Sequence, residues 1–143
     1  MPYRFLEKVA TADVAFEAWG STIEEMFVEA AEATLNVMVA DLSAISRREK
    51  ITLVLENDSI EMLLFDFLGE LVYLKDAQRL LLLVENISVK KDVGGYELAV
   101  TLAGEKINPK RHPLNVDVKG VTLHLFEVAK TASGWQATVV LDI

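Results

Sequence analysis

Only two stretches of this chain place apolar residues at helical spacing, and each follows a stretch that alternates. In the first, Ile23, Met26, Phe27, Ala30, Thr34, Leu35 and Met38 form one stripe, and Glu24, Glu25, Glu29 and Glu32 lie mostly off it. In the second, Ile60, Leu63, Leu64, Phe67, Leu68, Leu71 and Val72 do the same. Such a stripe buries one side of a helix against another layer. Ser21 with Glu24, and Asp58 with Glu61, have capping-box spacing, in which each side chain satisfies an orphan backbone donor. The reading is an amphipathic helix over 22–40 and a second over 59–74. Gly69, inside the second, costs about 1 kcal/mol relative to Ala and is read as a point of close packing on a sheet.

The remainder alternates or turns. Residues 2–8 suggest a short strand, Val14, Phe16 and Ala18 share a face of the next, and Ile51, Leu53 and Leu55 do so in a third. "QRLLLLVENISVKK" is a long strand with a bulge near Asn86, and Tyr96, Leu98, Val100 and Leu102 alternate in its successor. "VDVKGVTLHLFEVAK" and "WQATVVLDI" read as a closing antiparallel hairpin. The order β–β–α–β–α–β–β–β–β lacks regular βαβ alternation. It predicts an α+β fold in one domain, 1–143, with a mixed or mostly antiparallel sheet and two helices on one face. Two capped helices beside alternating strands also hint at an internal duplication, although no residue-level repeat carries it.

Composition narrows the function classes. The 143 residues include no cysteine, which removes disulfides, zinc–thiolate sites and thiol nucleophiles. A net charge of −8 repels nucleic acid at long range. The local cluster Lys106, Lys110, Arg111 and His112 in "EKINPKRHP" reads as a solvated loop. No apolar run is long enough to cross a bilayer, and "MPYRFLEKV" reads as a strand rather than a leader, so the expectation is a soluble cytoplasmic protein without a membrane partner.

Catalytic signatures are missing: there is no GxSxG, Gly-rich phosphate loop, HExxH or calcium-loop pattern. Of the two histidines, His112 reads as a loop residue and His124 as a hydrogen-bonded structural residue on the strand face of Thr122 and Phe126. The carboxylates are better candidates. Singly, Asp13 reads as a strand-start residue and Asp142 as a solvated strand end. The α-carboxylate of Ile143 adds an anion beside Asp142, and adjacent carboxylates call for a cation or a proton. If the sheet brings Asp13 alongside, three carboxylates converge into an oxygen-only site suited to Ca²⁺ or Mg²⁺. Lys119, before Gly120 and an apolar strand, is either solvated, paired with these carboxylates, or a point charge offered to a partner or phosphate.

"TADVAFEAWGSTIEEMFVEAA", "VKGVTLH" and the terminal "LDI", in that order, resemble the archease family, and "SIEMLLFDFLGELVYL" is similar to that family's second helix. The resemblance spans residues 3–143 and implies an α+β fold with two helices covering a sheet. It implies an accessory protein, not an enzyme, that activates the RNA-splicing ligase joining 3′-phosphate (or 2′,3′-cyclic phosphate) and 5′-hydroxyl RNA ends in tRNA maturation. The accessory role is to promote ligase guanylylation and repeated turnover, with tRNA met only through the ligase. Family metal ligands match Asp13, Asp142 and the C-terminal carboxylate of Ile143, and a functionally important family lysine matches Lys119. The family histidine that precedes Thr-Ala-Asp-Val is replaced by Ala10, so any contact it makes beside the metal is missing here. Two rivals stand beside this reading: a chaperone-like modulator of RNA-processing enzymes, and a metal-dependent hydrolase built on Asp13 and Asp142.

Overall fold

A computed structural model describes residues 2–6 and 13–143. Its elements run β1 (Tyr3–Phe5), β2 (Asp13–Gly20), α1 (Ile23–Met38), β3 (Glu49–Asn57), α2 (Ile60–Gln78), β4 (Leu80–Asp92), β5 (Gly95–Lys106), β6 (Gly120–Thr131) and β7 (Gly134–Asp142). All pairing between these strands is antiparallel. The strands form two sheets rather than one, in the orders β1-β2-β7-β6 and β3-β5-β4.

The expected capping pairs are displaced by one residue, and this displacement frees two glutamates to bond strand edges. Thr22, not Ser21, caps α1 by accepting from the Glu25 N–H, while Glu25 accepts from the Ser21 N–H and hydroxyl. Ser59, not Asp58, caps α2 by accepting from the Met62 N–H. Glu24 and Glu61 are thereby released from the caps. Glu24 accepts from the Val89 N–H of β4 at 3.2 Å, and Glu61 from the Val128 N–H of β6 at 3.0 Å. Both strands are sheet edges. A donor that would recruit another strand is thus taken by a helix carboxylate, which closes the edge.

The same exchange exposes the duplication. The segments β2-α1…β6-β7 and β3-α2-β4-β5 share one βαββ topology, with the first strand beside the last. The second unit is inserted between α1 and β6 of the first. Val89 and Val128 each lie six residues before a hairpin glycine of positive φ, Gly95 and Gly134. Each of those glycines packs on the backbone just before the helix of its own unit, Asn57 and Asp58 or Gly20 and Ser21. Even the cation–aromatic pairs repeat: Lys91 lies over Tyr96 and Lys130 over Trp135.

Apolar alternation makes the core. Phe16 and Ala18 of β2 with Ala137, Val139 and Leu141 of β7 face inward, as do Leu98, Val100 and Leu102 of β5. The helices fill the space over them, with Phe27 of α1 stacked on Phe67 of α2 at 6.0 Å. Gly69 does not mark close packing: a β-carbon there would meet nothing within 4 Å. The bulge near Asn86 is present, with the register shifting between Val84 and Asn86. No described helix is long and apolar enough to cross a membrane.

Candidate functional site

Antiparallel register places Asp13 directly opposite Asp142, with Gly120 on the other side of Asp142. Directly opposed residues project to the same face with Cβ atoms about 4.5–5.5 Å apart, where like charges destabilise the pair. Asp13, Asp142 and Ile143 are each half-buried. Gly120 contributes no side chain, and a β-carbon added to it would meet nothing within 4 Å, so this flank of Asp142 is open. The Lys119 N–H donates to the Asp142 carbonyl at 2.8 Å, which fixes the start of "KGVT" against the end of β7 while the Lys119 side chain stays exposed.

Among the described residues, neither Asp13 nor Asp142 has an ion-pair partner. Nor do three His, Asp or Glu side chains gather around a common point among them. Two opposed carboxylates with open space beside one of them make an oxygen-only donor pair. That set fits a hard divalent cation of the Ca²⁺ or Mg²⁺ type. Ala10 and the Thr11-Ala12 step of the first motif lie outside the described residues.

The strand bearing Gly120 loses its regular register just beyond the site. Thr122 pairs with Val140 and Glu127 with Thr138, so residues 123–126 oppose the single Val139. Leu125 has φ 56°, and Leu123, His124 and Leu125 are exposed. His124 therefore does not share a regular strand face with Thr122 and Phe126, and, exposed and without a side-chain hydrogen bond among the described residues, it is not the hydrogen-bonded structural residue expected. The Thr122 hydroxyl is buried without a hydrogen-bond partner.

The other histidine lies in a loop, as expected, but is not solvated. His112 is 2% exposed, and "KRHP" is not a solvated loop at this point. Its Nδ1 accepts from the Asn108 N–H, which leaves Nε2–H to donate to Glu105 at 3.0 Å. Arg111 and the Ser46 N–H also donate to Glu105. Burial alone would raise the Glu105 carboxyl, but the Ser46, His112 and Arg111 hydrogen bonds outweigh it and lower it to about 2. The sequence signal for this cluster was weak: a glutamate ending an apolar strand, and a cationic pair across a proline turn.

The whole described fold and this carboxylate pair can be set against known proteins. The model of the Archease protein family (MTH1598/TM1083) matches residues 3–143. The chain belongs to the archease family. It is 37% identical to the archease of Methanosarcina mazei over 142 residues, covering 99% of this chain and 95% of that protein. It is 35% identical to the archease of Archaeoglobus fulgidus, covering all of both chains. The solution structure of Methanobacterium thermoautotrophicum protein 1598 superposes with a TM-score of 0.85 at 30% identity, over 99% of each chain. The crystal structure of a Thermotoga maritima archease, described as a possible chaperone, gives a TM-score of 0.64 at 21% identity over 98% of each chain, a likeness of fold alone.

Proposed function

We propose that this archease is an accessory protein of the RNA-splicing ligase that joins 3′-phosphate and 5′-hydroxyl RNA ends, promoting ligase guanylylation and multiple turnover. The observation that carries the reading is the Asp13–Asp142 register in a member of the archease family. Asp13, Asp142 and the Ile143 carboxylate would hold Ca²⁺ or Mg²⁺, which when bound neutralises their mutual repulsion and gives the sheet end a fixed positive centre. The protein's own residues do the rest. β2 and β7 hold the two aspartates in register, Gly120 keeps one flank open for a partner group, and the exposed Lys119 adds a mobile cation beside them. An acidic protein of this kind engages the ligase, and tRNA only through it.

The test is multiple-turnover ligation by the ligase of the same organism, with wild type, Asp142→Ala and a chain extended beyond Ile143. Stimulation by the wild type alone supports the reading. Equal stimulation by all three, each with an unchanged melting curve, removes the carboxylates from the mechanism. Calcium titration supplies a readout independent of the ligase: Tm rises for wild type and stays flat for Asp142→Ala. The naming of the Thermotoga protein as a possible chaperone offers a second reading here, for which exposed Leu123 and Leu125 are the relevant surface. That reading predicts suppressed aggregation of unrelated clients, lost in Leu123→Ser/Leu125→Ser and indifferent to Asp142.

A further inference from the structure

Lys75 is a cation in a place where charge is costly. It lies in the last turn of α2 and is 5% exposed. An ammonium buried that far destabilises the fold unless it is paired. Packing alone does not call for it. Where Thr22 aligns with Ser59 and Glu24 with Glu61, Met38 aligns with Lys75, and Met38 is buried at the end of α1. One helix ends on a thioether, the other on a charge that its surroundings must satisfy.

All three donors of that ammonium are used. Nζ donates to Asp76 at 2.5 Å, to Asp117 at 2.6 Å and to the Val118 carbonyl at 2.7 Å. Burial by itself would lower the pKa of Lys75, but the hydrogen bonds and charges of Asp117 and Asp76 outweigh it and raise it, so the group keeps its proton. The two carboxylates are largely exposed and have water available. Val118 is fully buried, and a buried carbonyl needs a donor from the protein.

That carbonyl shares a peptide group with the Lys119 N–H. In a trans peptide the two point in opposite directions. One end of this peptide takes the Lys75 ammonium, and the other donates to the Asp142 carbonyl at 2.8 Å. A single peptide thus joins the helix of the inserted unit to the residue of the first unit that faces Asp13. A cation on the carbonyl also polarises the peptide and strengthens its N–H as a donor. Residues 115–119 belong to no helix or strand. Asn115 and Val116 are tied to the end of α1, and Asp117 and Val118 to Lys75.

We propose that Lys75 is a positioning residue for the open sheet end: by fixing the Val118–Lys119 peptide it sets where Lys119 and Asp142 stand, and it couples the inserted unit to the Asp13–Asp142 pair. The consequence for ligation rests on the accessory-protein reading above. The anchoring of the peptide does not.

The test compares Lys75→Met, the side chain its counterpart carries, with Gly95→Ala, which strains a hairpin of the inserted unit away from residues 117–119. Amide hydrogen exchange at Lys119 is followed in the full chain without added metal. It quickens about tenfold in Lys75→Met and keeps the wild-type rate in Gly95→Ala. Stimulation of multiple-turnover ligation, measured below the melting range of every variant, falls severalfold in Lys75→Met alone. Lys75→Arg, which keeps the charge and donors, lies between wild type and Lys75→Met in both readouts and covers the case in which the methionine variant fails to fold. Three outcomes overturn the proposal: unchanged exchange at Lys119 in Lys75→Met, equal quickening in Gly95→Ala, or quickened exchange with ligation undiminished. A wild type that does not stimulate the ligase counts against the accessory reading instead, and exchange at Lys119 still decides whether Lys75 holds the peptide.

Discussion

The two βαββ units share a scaffold and differ most in how their ends treat charge. In the first unit, Asp13 faces Asp142 across β2 and β7. The corresponding pair in the inserted unit is Lys50 facing Ala103, and that end answers its charges from within. Lys50 pairs with Glu85 at 2.8 Å, and Glu105, just past Ala103, is surrounded by Arg111, His112 and the Ser46 N–H. A carboxylate supplied with internal donors is a structural fixture. A pair of opposed carboxylates without them, among the described residues, is left to solvent or to a partner from outside. The same backbone thus carries a closed end and an open one, and function is best sought at the open one.

The sharpest way to break this comparison is to disable the closed end. Glu105→Leu leaves Arg111 without its buried partner and the Ser46 N–H without an acceptor, so we expect a loss of about 3–5 kcal/mol in denaturant unfolding. The acid limb gives the sign. The Glu105 carboxyl is lowered in the folded chain to about 2, against about 4.3 unfolded. Its contribution is therefore present above about pH 4.3 and is lost as pH falls through about 2. Glu105→Gln should flatten stability over that window, and an unchanged slope there would show that Glu105 is not the group responsible.

Next come the hairpin glycines. Gly95 and Gly134 have φ of 131° and 150°, and a methyl at either would run into the backbone preceding its unit's helix, the Asn57 oxygen or the Gly20 oxygen. Alanine at each should cost about 1–3 kcal/mol, more at Gly134, where the approach is closer. Equal midpoints for the two variants would mean that the two hairpins are seated alike. The helix-to-edge bonds are the more symmetric pair. Glu24→Ala and Glu61→Ala each remove a charged acceptor from one edge N–H, at about 1.5–3 kcal/mol if fully buried and less here, where both bonds are part-buried. Hydrogen exchange should quicken at Val89 in the first variant and at Val128 in the second. Faster exchange at both amides in either variant would mean that the edges are not closed independently.

Periodicity made the helices, strands and closing hairpin legible, because each depends on local spacing. Division into two sheets was not legible. It depends on which distant strands pair, β2 with β7 and β3 with β5, and alternation within each strand does not name its partner. The carboxylate candidates could be named from the sequence, but their juxtaposition could not, since it depends on β2 pairing with a strand more than a hundred residues away. The burial of His112 was missed for a related reason: its partner Glu105 lies across a turn whose path the sequence does not reveal. Leu125, with its positive φ, lies in a stretch where alternation alone predicts an unbroken strand.

The smallest expected effect tests the helices rather than the ends. Gly69 lies within α2, and nothing stands within 4 Å of a β-carbon placed there. Alanine would fill that space without displacing a neighbour, and it lowers the entropy lost on forming the helix. Gly69→Ala should therefore stabilise the chain by up to about 1 kcal/mol, read as a higher denaturant midpoint at an unchanged slope. A lower midpoint would mean that α2 needs the glycine for close approach after all. It would also undo the view that the inserted unit is the settled half of the molecule, since its helix would then be held by a contact as tight as those at the hairpins.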